Sequence, residues 1–313
     1  MFARWKMVAT ITVTLLLLAL ASRLPMSACL HMSHGYSGKI SQPTQEGVIF
    51  FTGNREELVL RSTYKIVGEK PPEQLAWVMT VPTLPDSYHV ADKKLFAELR
   101  TWASQWEPKP QATKDLALAA NSAPLELAPK VNVGPYEIQP IKVRGAEALT
   151  ALNEWFIQNG FTPVPPEHMT YFVNNNFTFL AVKTKPKADD FKSGEVSELP
   201  PLQISFATDK PYYPLKFFAK QGNISLRLYL FTASELDLNA SKETMTLLNA
   251  TQNHGVNRKL KTSSLPASLT AVLPQEKSGD GKGAAEWYLN ILEANNFNTD
   301  EAMMKWEKDV FSA

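Results

Sequence analysis

Residues 47–67 read GVIFFTGNREELVLRSTYKIV. An apolar run, Gly47 to Phe51, meets a turn signal at Thr52-Gly53-Asn54 and then a segment that alternates. Leu58, Leu60, Tyr64 and Ile66 fall on one side, and Arg61, Thr63 and Lys65 on the other. A period of two is the spacing of a strand with one packed and one solvated face. The stretch therefore predicts an antiparallel hairpin. A third strand follows at LAWVMTVP, 75–82, after the loop EKPPEQ, and ends at Pro82, which has no N–H to donate.

Helical and strand spacings alternate further along. Leu95, Phe96, Leu99, Trp102, Ala103 and Trp106 recur at helical intervals and predict a helix from Lys93 to Trp106, capped by Asp92. Residues 107–131 are rich in Pro and Ala and weakly patterned, as a long loop or inter-domain linker is. YEIQPIKV, 136–143, is a strand. The helix at 145–161 turns Leu149, Leu152, Trp155 and Phe156 inward, with Gly160 at the left-handed C-cap and Phe161 folding back. PPEHMTYFV, 165–173, is a short helix opening with prolines. FTFLAVKTK, LQISFAT, PLKFFAK and ISLRLYLFT are four further strands. Residues 236–283 are polar and irregular. Helices near 284–294 and 299–311 close the chain, the second capped by Thr299. NEWFIQNGFTP and EWYLNILEANNFNT share a Trp-bearing helix, a Gly or Asn stop and a Phe, a likeness that the common chemistry of helix endings accounts for.

The 313 residues give room for one large or two ordinary domains. Lys+Arg number 32 against 31 Asp+Glu and no basic run appears, which excludes a nucleic-acid partner on electrostatic grounds. One cysteine excludes an intramolecular disulfide framework. At the N-terminus, Arg4 and Lys6 precede the apolar run Met7 to Ala21, shorter than the roughly 20 residues a spanning helix needs. Ala19-Leu20-Ala21 is a small-x-small cleavage signal, so residues 1–28 read as an export signal cut after Ala21 or Ala28. Met26 to Cys29 loosely matches a lipoprotein box, which makes Cys29 a candidate for lipidation. Membrane contact would then come only through an uncleaved signal or that lipid, in the periplasm or at the cell surface.

Several blocks together resemble the bacterial family known as domain of unknown function 2330. They are EGVIFFTGNREELVLRSTYKI, LAWVMTVPTLP, LNEWFIQNGF, MTYFVNNNFTFLAVK and LPPLQISFATDKPYYPLKFF, spanning about residues 28–235. The resemblance implies an exported bacterial protein and brings no activity with it. Family members begin their mature part with Cys-Gly-Gly, two residues and a second Cys. Here Cys29 matches the first cysteine, Leu30 and His31 replace the glycines, and His34 falls near the second cysteine. The change removes any disulfide role and leaves a metal-ligand role open.

Cys29, His31, Met32 and His34 are copper-ligand types, and His and Cys also serve zinc. A chain starting at Cys29 would add a terminal amine and two amides to His31 for square-planar Cu(II) or Ni(II). The opposing reading is an incidental polar terminus. Catalytic signatures are weak. Glu167-His168 is not a zinc-protease motif, no nucleophile elbow or phosphate loop occurs, and His89, His168 and His254 are scattered. Tyr212, Tyr213 and Phe218 can line a ligand or partner surface, against the alternative of burial in a sheet.

The sequence thus predicts an α+β protein: mainly antiparallel sheet, helices packed on one face and a C-terminal helical pair. It divides into a β-rich part at 29–106, a linker at 107–131 and an α+β core at 132–235. The expected role is a non-catalytic envelope protein binding a small ligand or another envelope protein. Metal handling with copper or zinc ranks second, and an uncharacterised hydrolase third.

Overall fold

The computed structural model describes residues 30–32, 36–106, 123–145, 147–186, 191–218, 222–242, 257–274 and 285–298. The chain runs β1 (Leu30–Met32), β2 (Lys39–Ser41), β3 (Thr44–Phe51), β4 (Arg55–Val67), β5 (Leu75–Val81), β6 (Ser87–Val90) and α1 (Leu95–Ala103). Then come β7 (Ala123–Leu127), β8 (Val131–Val133), β9 (Tyr136–Gly145), α2 (Ala148–Gln158), α3 (Pro166–Asn174), β10 (Thr178–Thr184), β11 (Val196–Glu198) and β12 (Leu202–Ala207). β13 (Asn223–Thr232), β14 (Arg258–Lys261), α4 (Ala267–Thr270) and β15 (Glu286–Asn298) complete the order.

The expected hairpin is β3–β4. Gly53 takes φ +99° at its turn, a region that suits glycine, and Thr52 N donates to Arg55 O at 3.0 Å. The strands build two sheets. The first runs β1-β5-β10-β9-β7, with β8 also on β9. The second runs β14-β15-β13-β3-β4-β12-β6, with β2 and β11 on β4. Every pairing is antiparallel except β13 with β3.

Side-chain alternation shows how the layers stack. Ile49, Phe51, Leu58, Leu60, Leu228 and Leu230 join one core with Trp77, Met79, Leu180 and Val182 of the first sheet. Their strand neighbours Val48, Phe50, Val59, Tyr229 and Phe231 join a second core with Phe96 and Leu99 of α1 and Leu269 of α4. Successive residues of a strand point to opposite faces. The second sheet is therefore covered on both faces: by the first sheet on one, by α1 and α4 on the other. α2 and α3 lie against β7 and β9 of the first sheet. Helices thus flank both sheets, where the sequence predicted a single helical face.

That double cover explains the other departures. Arg61 was expected in solvent and is 7 % exposed beneath α1, where it pairs with Glu46, itself 3 % exposed. β5 leaves the hairpin for the first sheet, pairing with β1 and β10. PLKFFAK is no strand: Pro211 and Pro214 withhold ladder donors, and Leu215–Phe218 is a 3₁₀ turn. Of the helix expected near 284–294, residues 286–294 lie in β15 instead; its position between β13 and β14 overrides helical propensity. The other expected closing helix, 299–311, lies outside the described residues. Strands from both sides of 107–131 share each sheet, and residues 123–127 of that stretch are β7.

The helix-ending reading of NEWFIQNGF holds. Gly160 has φ +80°, and Phe161 N donates to Phe156 O at 2.8 Å. The same device recurs after α3, where Asn176 has φ +56° and Phe177 N donates to Phe172 O at 2.9 Å.

Candidate functional site

On the α1 side of the second sheet, polar residues form a row across three strands. Glu57 of β4 stands opposite Ser205 of β12, and Ser205 opposite Ser87 of β6. Gln203 stands opposite His89. Register alone places these side chains on one face, because directly paired residues share a face and Gln203 and His89 each sit two positions from Ser205 and Ser87 in their own strands. Ser87 Oγ donates to Ser205 Oγ at 2.8 Å, and Ser205 Oγ donates to Glu57 Oε2. Gln203 Nε2 donates to the same oxygen at 3.0 Å. Glu57, Ser205 and Gln203 are buried, whereas His89 at the sheet edge is exposed.

The row floors a cleft of about 680 Å³. Its far wall is the segment around α4, with Ser268, Ala271, Val272 and Leu273. Small-ligand sites span roughly 300–1,000 Å³, so the size is sufficient. Arg55 closes one end. Its guanidinium holds Asp86 bidentately at 2.8 and 2.5 Å, and Glu57 Oε1 lies 3.7 Å from its Nε. The hydrogen bonds it donates to Asp86 raise the Arg55 pKa further, so the charge is permanent. The cleft thus combines a fixed cation, a buried carboxylate, hydroxyls and an amide, and Arg55, Glu57, Ser87, Ser205 and Gln203 are held by one another or by Asp86 before any ligand arrives. Among the described residues, no hydrogen bond joins His89 to Ser87 or Ser205.

The neighbouring Glu56 points the other way, into the core. Burial pushes its carboxyl well above the ordinary value, and the Glu57 charge adds to the rise. The Tyr212 N–H donated to Glu56 Oε2 at 2.7 Å acts in the opposite sense.

The residues singled out from sequence fall elsewhere. Cys29 and His34 lie outside the described residues. Leu30 to Met32 are β1, His31 faces Ala76 in the ladder with β5, and Met32 packs against the core. A square-planar site built from the Leu30 and His31 amides would compete with that ladder. Among the described residues, no three His, Cys, Asp or Glu side chains gather as a metal site. Tyr212 and Tyr213 are 0 % and 1 % exposed, so they line no surface. Tyr212 Oη meets Thr80 Oγ1 at 2.9 Å, and Tyr213 Oη donates to Gln45 at 3.0 Å, tying the 3₁₀ segment to both sheets. Phe218 ends that turn, and its side chain lies outside the description. The cleft residues Arg55, Glu57, Ser87, Gln203 and Ser205 carried no sequence signal, because they stand far apart in the chain and resemble ordinary outward-facing strand positions.

A family model described as "uncharacterized protein conserved in bacteria (DUF2330)" matches residues 26–264. No curated protein matches the chain. Among solved structures, baculovirus P35 is similar at TM-score 0.44 and 11 % identity, over 90 % of this chain and 99 % of that one. A chain of the caspase-8/P35 complex is similar at TM-score 0.38 and 8 % identity, over 82 % and 92 %.

Proposed function

We propose that this chain, which belongs to the DUF2330 family of proteins conserved in bacteria, is an exported envelope protein that binds a small ligand without transforming it, in the cleft between β4, β12, β6 and the α4 segment. One observation carries the reading: a buried carboxylate, Glu57, is held on one oxygen by Gln203 and Ser205 at the floor of a cleft of ligand size. Buried polar networks are costly unless satisfied, and a fully organised one facing a cleft is what orients a ligand. The export half rests on the N-terminal pattern of charge, apolar run and small-x-small site. No helix among the described residues is long and apolar enough to cross a membrane.

The test is thermal melting of the mature protein against a panel of small polar metabolites, with intact mass of the protein recovered from its host. A ligand at a hundred times its Kd adds about 2.7 kcal/mol, a readable shift in melting temperature. At least one compound is expected to raise the melting temperature, and Ser205→Ala to diminish the rise. A panel without effect, or shifts indifferent to Ser205→Ala, would overturn the cleft. A full-length chain with Met1 intact in the cytosol would overturn export.

A further inference from the structure

Outside the cleft, α1 and the start of α4 border a groove of about 430 Å³, lined by Ala97, Glu98, Thr101, Trp102 and Pro266. It shares no lining residue with the cleft. Glu98 and Trp102 are four positions apart on α1, which puts their Cβ atoms about 5–6 Å apart on one helix face. The Trp102 ring is held in place: it stacks on Phe231 at 6.4 Å and meets Trp106 edge-on at 4.7 Å. The Glu98 carboxylate is exposed and makes no hydrogen bond or ion pair among the described residues.

Among the described residues that line the groove, Glu98 alone is charged. The face of an indole is electron-rich and attracts a cation within about 6 Å of its centroid, more strongly than the other side-chain rings. The adjacent Trp106 already carries the Arg258 guanidinium at 4.8 Å, whereas no Lys or Arg among the described residues stands over Trp102. The groove thus sets a carboxylate beside an indole and supplies no cation of its own. A primary ammonium is strongly hydrated and brings three N–H donors. The Thr101 hydroxyl donates to Ala97 O at 3.1 Å, and Ala97, Trp102 and Pro266 offer apolar surface. A methylated ammonium suits that lining better: it spreads its charge over carbon and asks for no hydrogen bond.

From these we infer that the groove between α1 and α4 binds a free methylated ammonium cation, its charge beside Trp102 and Glu98 and its methyl groups against Pro266 and Ala97. The cation is a free solute and not the headgroup of a lipid. A phosphodiester attached to it would meet the Glu98 charge with no cation in the lining to answer it.

The experiment is titration of the full chain with choline, followed by NMR and calorimetry. The comparisons are the neutral isostere with a tert-butyl group in place of the trimethylammonium, ethanolamine, glucose and phosphatidylcholine vesicles. Choline is expected to bind saturably, at least about threefold tighter than the isostere. Glu98→Gln should weaken it about two- to fivefold without moving the melting temperature of the free protein. Trp102→Leu should abolish binding; because Trp102 also packs on the outer core, Glu98→Gln carries the test should that variant unfold. An isostere as tight as choline would reduce the groove to an apolar patch, and choline binding indifferent to Glu98→Gln would place the cation elsewhere. Tighter ethanolamine would mean a hydrogen-bonded amine, and tighter glucose a sugar platform. Vesicles bound without free choline would mean a lipid surface. Each of these results, or silence from all five, overturns the inference and leaves the cleft to its own metabolite panel.

Discussion

Glu56 and Glu57 are adjacent in sequence and live in opposite chemistry, because a strand turns consecutive side chains to opposite faces. Glu57 faces the cleft among donors; Glu56 faces the core, with one backbone N–H and no hydrogen-bond partner for Oε1 among the described residues. No sequence pattern separates the two. Only the cover on each face does, and that cover comes from residues far along the chain. The rise in the Glu56 pKa has a definite sign for stability. The native state keeps a proton that the unfolded chain releases above the ordinary value of 4.5, so stability falls as pH rises from there toward the raised native value. Glu56→Gln removes the titration while still accepting from Tyr212. Urea midpoints measured from pH 5 to pH 9 should therefore shift in the variant's favour, relative to the native sequence, as pH rises. A shift the other way would mean that Glu56 is charged in the fold.

Elements with a strong local signal are legible without the structure. The β3–β4 hairpin, α1, α2 with its Gly160 stop, α3 and β10 all follow from spacing and capping. β15 does not. Its AAEWYLNILEA favours a helix locally, and the strand is imposed by burial on both faces: Trp287, Leu289 and Ile291 enter the outer core, and Leu292 and Ala294 the inner one. At its centre Asn290 is fully buried. Asn257 N donates to Asn290 Oδ1 at 2.7 Å, and Asn290 Nδ2 donates to Asn257 Oδ1 at 3.2 Å. Asn257 holds φ +50°, a conformation Asn tolerates better than most residues, and also bonds both the N–H and the C=O of Leu236. The pair fixes how the segment before β14 meets β15. Asn290→Ala leaves the N–H of half-buried Asn257 without its acceptor and should cost about 1–3 kcal/mol in urea unfolding. A loss below about half a kcal/mol would mean that the pair is replaced by other contacts.

At the scale of the molecule, the pairing of distant strands builds both the core and the cleft, and neither is written in any one stretch. The cleft gathers β4, β6, β12 and the α4 segment, whose partners are about 20 to 210 positions apart in the chain. Such long-range pairings set no local period, so spacing rules cannot see them. The most consequential of them is the last. β13 runs parallel to β3 on one side and antiparallel to β15 on the other, deep within the second sheet. The family match ends at residue 264, and β15 begins at Glu286. The matched portion alone therefore leaves the edge of β13 open and uncovers Phe50, whose ring lies 4.6 Å from Phe231 and 4.9 Å from Trp287. Each large apolar side chain withdrawn from burial costs roughly 1.5–3 kcal/mol, and β15 contributes four such residues, Trp287, Leu289, Ile291 and Leu292. The sum rivals the roughly 5–15 kcal/mol that stabilises a whole domain. A chain stopped after residue 284 should accordingly be found aggregated or as open-edged oligomers by size-exclusion chromatography, with increased binding of a hydrophobic dye. A synthetic peptide of residues 285–298, supplied during refolding, should restore a soluble monomeric complex by refilling the β13 edge. A truncated chain that is monomeric and melts like the intact one would show that the second sheet closes without its C-terminal strand.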